Sequence, residues 1–232
     1  METTAGVAPV PWTPRTTVWW LLGGLLLAII IPPLLVAPFD PDLDSDGALL
    51  AAQAIFDGLL LFVALGVASD WKFRRPLSRP LGLLGLRPFR PKAIWILLGT
   101  LVVYYIAAGL FASLVLKPDQ EDIGGELGVG NPSILIAVLA VVMIVGLAPI
   151  AEELFFRGFL FAGLRTRWPL WPAAITSGLI FGLVHAPTGI TTVVPLAALG
   201  IALCWLYNRT GSLWPCVIAH MINNGLALAL VS

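Results

Sequence analysis

Pro149-Ile150-Ala151-Glu152-Glu153-Leu154-Phe155-Phe156-Arg157-Gly158 sets two carboxylates and a guanidinium inside a run otherwise made of Leu, Ile, Val, Ala and Phe. Near the centre of a membrane helix each such residue costs roughly 2.5–3.5 kcal/mol, so three together cost on the order of 8–10 kcal/mol unless they are paired. Read as a helix, Glu153 and Arg157 stand four residues apart on one face and can neutralise each other. Glu152 lies about a hundred degrees round the helix and is left for other work. The plainer alternative is a structural ion pair with a bystander acid, and this segment alone does not choose between the two.

The rest of the chain does not dilute that setting. Of 232 residues, 59% are hydrophobic and only 11% charged, with a mean hydropathy of +0.95; ordinary globular domains run nearer ~25% charged. The composition excludes a soluble domain and fits an all-α, polytopic membrane helix bundle. The formal net charge is zero, which says nothing about partners because the charges are segregated by segment. Cys204 and Cys216 sit in apolar runs without paired spacing. They read as small packing residues rather than a disulfide framework or a zinc knuckle. Only Arg15 is basic in residues 1–17, and the first apolar run has no small-residue cleavage site, so no secretory signal is expected.

Trp19 and Trp20 open the first apolar run, where an interfacial anchor belongs. The run continues to about Val36, with Pro32 and Pro33 kinking its far end. An acidic loop, Asp40, Asp42, Asp44 and Asp46, leads to a second span from about Ala48 to Ala68. Lys72, Arg74, Arg75, Arg79, Arg87, Arg90 and Lys92 follow against the single acid Asp70. The positive-inside rule makes this loop cytoplasmic, with the N-terminus inside and the aspartate loop outside. Its Pro, Leu and basic content suits a segment lying along the headgroups. Ala93 to Leu116 is a third span, and residues 117–133, acidic and Gly-rich, belong outside.

From Ile134 to about Thr166 helical character hardly lapses, although Pro149 is expected to kink or split it. Counted as one bent pass, this run returns the chain to the cytoplasm at Arg165 and Arg167. Pro172 to about Ala186, Val193 to Tyr207 and Trp214 to Val231 complete about seven transmembrane helices, or eight elements if Pro149 separates two. Gly178 and Gly182 form a small-xxx-small pair suited to a close helix contact. Asn208-Arg209-Thr210 has the form of a glycosylation sequon, which this topology leaves unused in the cytosol. Residues 1–133 read as an N-terminal transmembrane scaffold of three spans and a basic loop, and 134–232 as the helix bundle it supports.

Both histidines of the chain, His185 and His220, fall inside expected spans, where each is costly. Counted from the cytoplasmic ends at about 1.5 Å per residue, Glu152 and His185 lie roughly 20 Å deep, Asn224 roughly 16 Å and His220 roughly 10 Å. His220 and Asn224 are i,i+4 and point to one site; Phe181 and His185 are i,i+4, which makes the ring an apolar wall beside the imidazole. A carboxylate, two imidazoles and a carboxamide suit a hydrolytic centre. Glu152 would be the general base, His185 would share the proton, and His220 and Asn224 would donate to an oxyanion. No Ser or Cys in these spans has an evident base partner, so water is the expected nucleophile. The same atoms allow a zinc site made by Glu152, His185 and His220 with one open position, although no H-E-x-x-H helix is present. Asp57, an acid in the second span with Gln53 one turn before it, is either a structural partner or a cavity-lining group.

At these residues the chain resembles the CPBP family of intramembrane proteases, the type II CAAX prenyl endopeptidases and bacteriocin-processing (Abi) proteins. Glu152-Glu153-Leu154-Phe155-Phe156-Arg157 is similar to E-E-x-x-x-R, Phe181-Gly182-Leu183-Val184-His185 to F-x-x-x-H, and His220-Met221-Ile222-Asn223-Asn224 to H-x-x-x-N. The likeness covers roughly residues 134–231. It implies that Glu152 and His185 activate water, that His220 and Asn224 stabilise the oxyanion, and that Glu153 and Arg157 support the site, with no metal required and Zn2+ as the alternative cofactor. It also implies a peptide or lipidated protein substrate reached from the lipid bilayer, with no nucleic-acid partner and an open oligomeric state. The chain's compactness resembles the bacterial branch, hence a plasma membrane with the N-terminus cytoplasmic. Two other readings compete: a non-catalytic scaffold or bacteriocin-immunity protein of the same fold, and a proton-coupled transporter. The absence of an internal repeat argues against the transporter.

Overall fold

The computed structural model describes residues 6–40, 42, 45–72, 76–115 and 134–231. Among them the chain is helical and has no strand: α1 Pro14–Val36, α2 Asp46–Ala68, α3 Ser78–Leu83, α4 Lys92–Val115, α5 Ile134–Arg165, α6 Leu170–Val184, α7 Val193–Thr210 and α8 Trp214–Val231. Five of these, α1, α2, α4, α5 and the one ending with α7, are long and apolar enough to cross a bilayer, and α6 and α8 are shorter apolar helices. The expected count of about seven therefore holds. The eighth helix is α3, in the basic loop, and not a product of Pro149. The 117–133 segment, Asp44, Arg74 and Arg75 lie outside the described residues.

Local chemistry sets the ends. The Thr13 hydroxyl accepts the Thr16 N–H at 3.4 Å before α1, and the Ser45 hydroxyl accepts the Ala48 N–H at 3.1 Å before α2. After α7 the chain turns at Gly211, φ +69°, whose N–H returns to the Tyr207 carbonyl at 2.8 Å. The basic loop docks on that turn, with Leu213 N–H on the Gly85 carbonyl at 2.9 Å and the Ser212 hydroxyl on the Arg87 carbonyl at 2.6 Å.

Outward faces of α1 and α4 present Trp19, Leu22, Ile29, Leu34, Val103 and Ile106, all exposed. Apolar patches of that extent belong against lipid. This is an integral, multi-pass membrane protein. The inner element is α5, buried without interruption from Ala151 to Leu164, as a helix apolar all round must be. Around it pack α1, α2, α6, α7 and α8, and α4 leans on α7 and α8. Glycines bring α6 and α7 together: a side chain on Gly178 or Gly182 would strike backbone atoms of Ala197 or Val193.

Pro149 does not split α5. The helix is π-wound over Val142–Leu147, α over Ala148–Glu153 and π again over Leu154–Phe161. The Ala148 N–H reaches back five residues to the Met143 carbonyl. The next bond in that register, Pro149 to Ile144, has no N–H to make it. Side chains from elsewhere in the chain supply donors along both wide stretches. Asn224 Nδ2 donates to the Ile144 carbonyl at 2.9 Å, Ser177 Oγ to Phe156 at 3.0 Å and Trp12 Nε1 to Phe159 at 3.0 Å.

Candidate active site

Glu153 is the anchor of the polar cluster. Its Oε1 lies 2.9 Å from Arg157 Nη1 and 2.9 Å from His220 Nδ1, and the side chains of Glu153 and Arg157 are fully buried. The expected i,i+4 ion pair is thus in place, with a second partner that spacing did not reveal. Arg157 is also stacked over the Phe181 ring, 4.4 Å from its centroid. Phe181 is more than a wall for His185: its ring centroid lies 4.7 Å from that of His185 and 5.5 Å from that of His220.

Both imidazoles are fixed at Nδ1. His220 Nδ1 donates to the Glu153 carboxylate, and His185 Nδ1 donates to the Phe181 carbonyl at 2.8 Å. An acceptor at Nδ1 places the hydrogen there and leaves Nε2 to face the site. Each Nε2 is turned to the same atom, Glu152 Oε2, at 3.7 Å for His220 and 3.9 Å for His185. Glu152 Oε2 is buried and makes no hydrogen bond to a protein group. Three polar atoms therefore converge on one spot at spacings wider than direct hydrogen bonds. A water molecule fits those spacings if it donates to two of them and accepts from an imidazole Nε2 that carries a second proton.

His185 departs from the sequence reading in one respect. It is the residue that ends α6, not one inside a span, and short 3₁₀ turns at Ala186–Thr188 and Ile190–Thr192 follow it. With 15 residues, α6 is about 22 Å long and stops short of a roughly 30 Å hydrocarbon core. The imidazole is held at depth by that early stop, with its side chain 22% exposed. Irregular backbone at such depth is tolerated where it lines a polar cavity.

Asn224 follows His220 by one turn of α8, and its carboxamide is committed elsewhere. Nδ2 donates to Ile144, Oδ1 accepts from Asn223 Nδ2 at 3.3 Å, and Asn223 Oδ1 accepts from Tyr105 at 3.3 Å. The structure brings Glu152, Glu153, Arg157, Phe181, His185 and His220 together, while Asn224, one turn on from His220, bonds Asn223 and Ile144 and keeps one N–H unspent. Sequence reasoning missed the Glu153–His220 bond and the Ile144 carbonyl. Two cavities, of about 490 and 460 Å³, lie at opposite ends of α2, by Asp70 and by Asp40, and the cluster lines neither.

The donor types suit zinc; the spacing does not. Bonds of about 2.0–2.1 Å at tetrahedral angles hold ligand atoms roughly 3.3–3.4 Å apart, closer than the 3.7 and 3.9 Å found between Glu152 and the imidazoles. Among the described residues no group of three or more His, Cys, Asp or Glu is arranged to hold a metal ion.

A bundle of apolar helices that buries a glutamate between two imidazoles defines a class, membrane proteins with an internal Glu-His-His centre. Residues 133–226, which hold all of that centre, match the family model described as type II CAAX prenyl endopeptidase Rce1-like. It is 29% identical to the Bacillus subtilis (strain 168) protein named "Putative membrane peptidase YdiL", over 53% of this chain and 54% of that one. It is also 29% identical to an uncharacterized 24.3 kDa protein of Escherichia coli, over 57% of this chain and 61% of that one. The chain thus spans a little over half the length of the curated relatives it matches. No solved structure matches it significantly.

Proposed function

We propose that the chain is an intramembrane endopeptidase that cleaves prenylated proteins or small membrane-associated peptides with water activated by Glu152 and His185. The observation that carries this reading is the aim of two imidazole Nε2 atoms at the one buried oxygen of Glu152. In the proposed cycle Glu152 removes a proton from water while His185 Nε2 holds the developing hydroxide. The oxygen bonds to the scissile carbonyl carbon, and the oxyanion is met by His220 Nε2 in its doubly protonated form and by the free N–H of Asn224. The C–N bond then breaks, and the proton held by Glu152 passes to the leaving nitrogen. Glu153 keeps His220 in register and balances Arg157. No step of this cycle is routed through a metal.

Within this reading residues 134–232 form the catalytic bundle and 1–133 the scaffold around it. The bacterial relatives and the basic residues gathered at one end support a bacterial plasma membrane with a cytoplasmic N-terminus. The test is turnover of internally quenched peptides by the full chain in liposomes, some carrying a farnesylated cysteine followed by three residues. Glu152→Gln is expected to lower kcat by at least about a thousandfold, with folding unchanged, and His185→Gln to lower it by on the order of a hundredfold or more. Undiminished turnover by well-folded Glu152→Gln would end the proposal. Metal analysis of the active protein is expected to find no stoichiometric zinc, and chelators are expected to leave its rate unchanged.

A further inference from the structure

One buried acid has no part in that cycle. Asp57 sits at the middle of α2, 5% exposed, on the face that also buries Leu60, Ala64 and Val67. That face packs along Ala148–Glu153 and Leu154–Phe161 of α5. Gln53, one turn earlier, donates from Nε2 to Asp57 Oδ2 at 3.0 Å. The other oxygen, Oδ1, is buried and makes no hydrogen bond to a protein group. Its helix packs on the α5 segment that carries Glu152, which places the open oxygen in the same interior. The buried arginine does not answer it, since Arg157 lies against Glu153. A carboxylate at this depth, held on one oxygen and open on the other, is an expensive residue to keep for packing alone.

We propose that Asp57 is a substrate-positioning residue, its Oδ1 accepting a backbone N–H of the bound peptide beside Glu152. This rests on the peptidase reading above. The need is mutual. A peptide drawn among membrane helices brings N–H groups that find no water there and must be given acceptors. An ionised carboxylate is an acceptor only, and its bond to an amide N–H is charge-assisted. Gln53 holds the carboxylate by its other oxygen, Oδ2. Because the contact is made equally in the Michaelis complex and the transition state, its removal weakens binding more than chemistry.

The experiment uses the full chain in liposomes with the same quenched peptides. It adds a series in which one backbone N–H at a time is replaced by an ester oxygen. Asp57→Leu is expected to raise KM roughly tenfold or more with kcat within about twofold, and Asp57→Asn, which keeps an oxygen acceptor, to fall between. In the wild type one ester position is expected to carry a similar KM penalty, and Asp57→Leu to be blind to that substitution. A wild-type KM in Asp57→Leu, a loss confined to kcat, or an ester series with no sensitive position would overturn the assignment. The ester series needs only the wild type, so a poorly folding variant does not shield the proposal. If Glu152→Gln is inactive while Asp57→Leu and the esters behave as wild type, this inference falls and the endopeptidase stands. A wild type that cleaves none of the peptides takes both down.

Discussion

At the scale of single residues, adjacent glutamates of one motif have opposite duties. Glu153 is spent on structure: one oxygen meets a guanidinium and an imidazole, each at 2.9 Å, with no solvent access. Glu152 is pledged to no protein donor. Truncating one partner of a buried ion pair leaves the other charge uncompensated, which costs about 3–5 kcal/mol. Glu153→Ala is therefore expected to lower the thermal midpoint sharply and to unmoor His220, so that activity falls together with stability. Glu152→Gln removes no ion pair at hydrogen-bonding distance and is expected to leave the midpoint near that of the wild type. Thermal unfolding of both variants in detergent separates the roles. Equal destabilisation would mean that Glu152 is also structural.

At the scale of elements, the decisive feature is the winding of α5, and this is where sequence reading ran out. The E-x-x-x-R pair was legible because four-residue spacing survives the change from α to π. The fate of Asn224 was not legible, because its partner is a main-chain carbonyl freed only by the combination of a π stretch and a proline. His185 lay between these cases. Pro187, two residues on, signals a helix stop, yet continuous hydrophobicity drew the expected span past His185 to Ala186. The Glu153–His220 bond joins residues 67 apart, on helices whose rotation no periodicity specifies. The π winding carries its own test. Asn224 Nδ2 does for Ile144 what the missing N–H of residue 149 cannot, so Asn224→Ala is expected to lose about 1–3 kcal/mol as a carbonyl within a membrane span is left without a donor. Pro149→Ala restores a backbone N–H, and in that background Asn224→Ala is expected to cost much less. Strict additivity in the double-mutant cycle would show that the two do not serve one carbonyl.

At the scale of the whole molecule, the spans were legible to within a few residues, because an apolar run long enough to cross a bilayer has few other readings. Their arrangement, with α5 innermost and helices from both halves of the chain around it, was not, since hydropathy marks what is apolar and not what it touches. Charge then orients the bundle. Arg15, Lys72, Arg79, Arg87, Arg90, Lys92, Arg165, Arg167 and Arg209 fall at one end by the order of the helices, accompanied by Asp70, while Asp40, Asp42 and Asp46 fall at the other. In the orientation we propose, such asymmetry in short loops sets the basic end toward the cytoplasm. Both native cysteines are buried, so single exposed cysteines can report sidedness to a membrane-impermeant thiol reagent. Phe39→Cys, at a position 91% exposed on the acidic end, is expected to react in intact cells. Arg90→Cys, exposed on the basic end, is expected to react only once the membrane is opened. The reverse pattern would turn the molecule over, and with it the leaflet from which a peptide approaches Glu152.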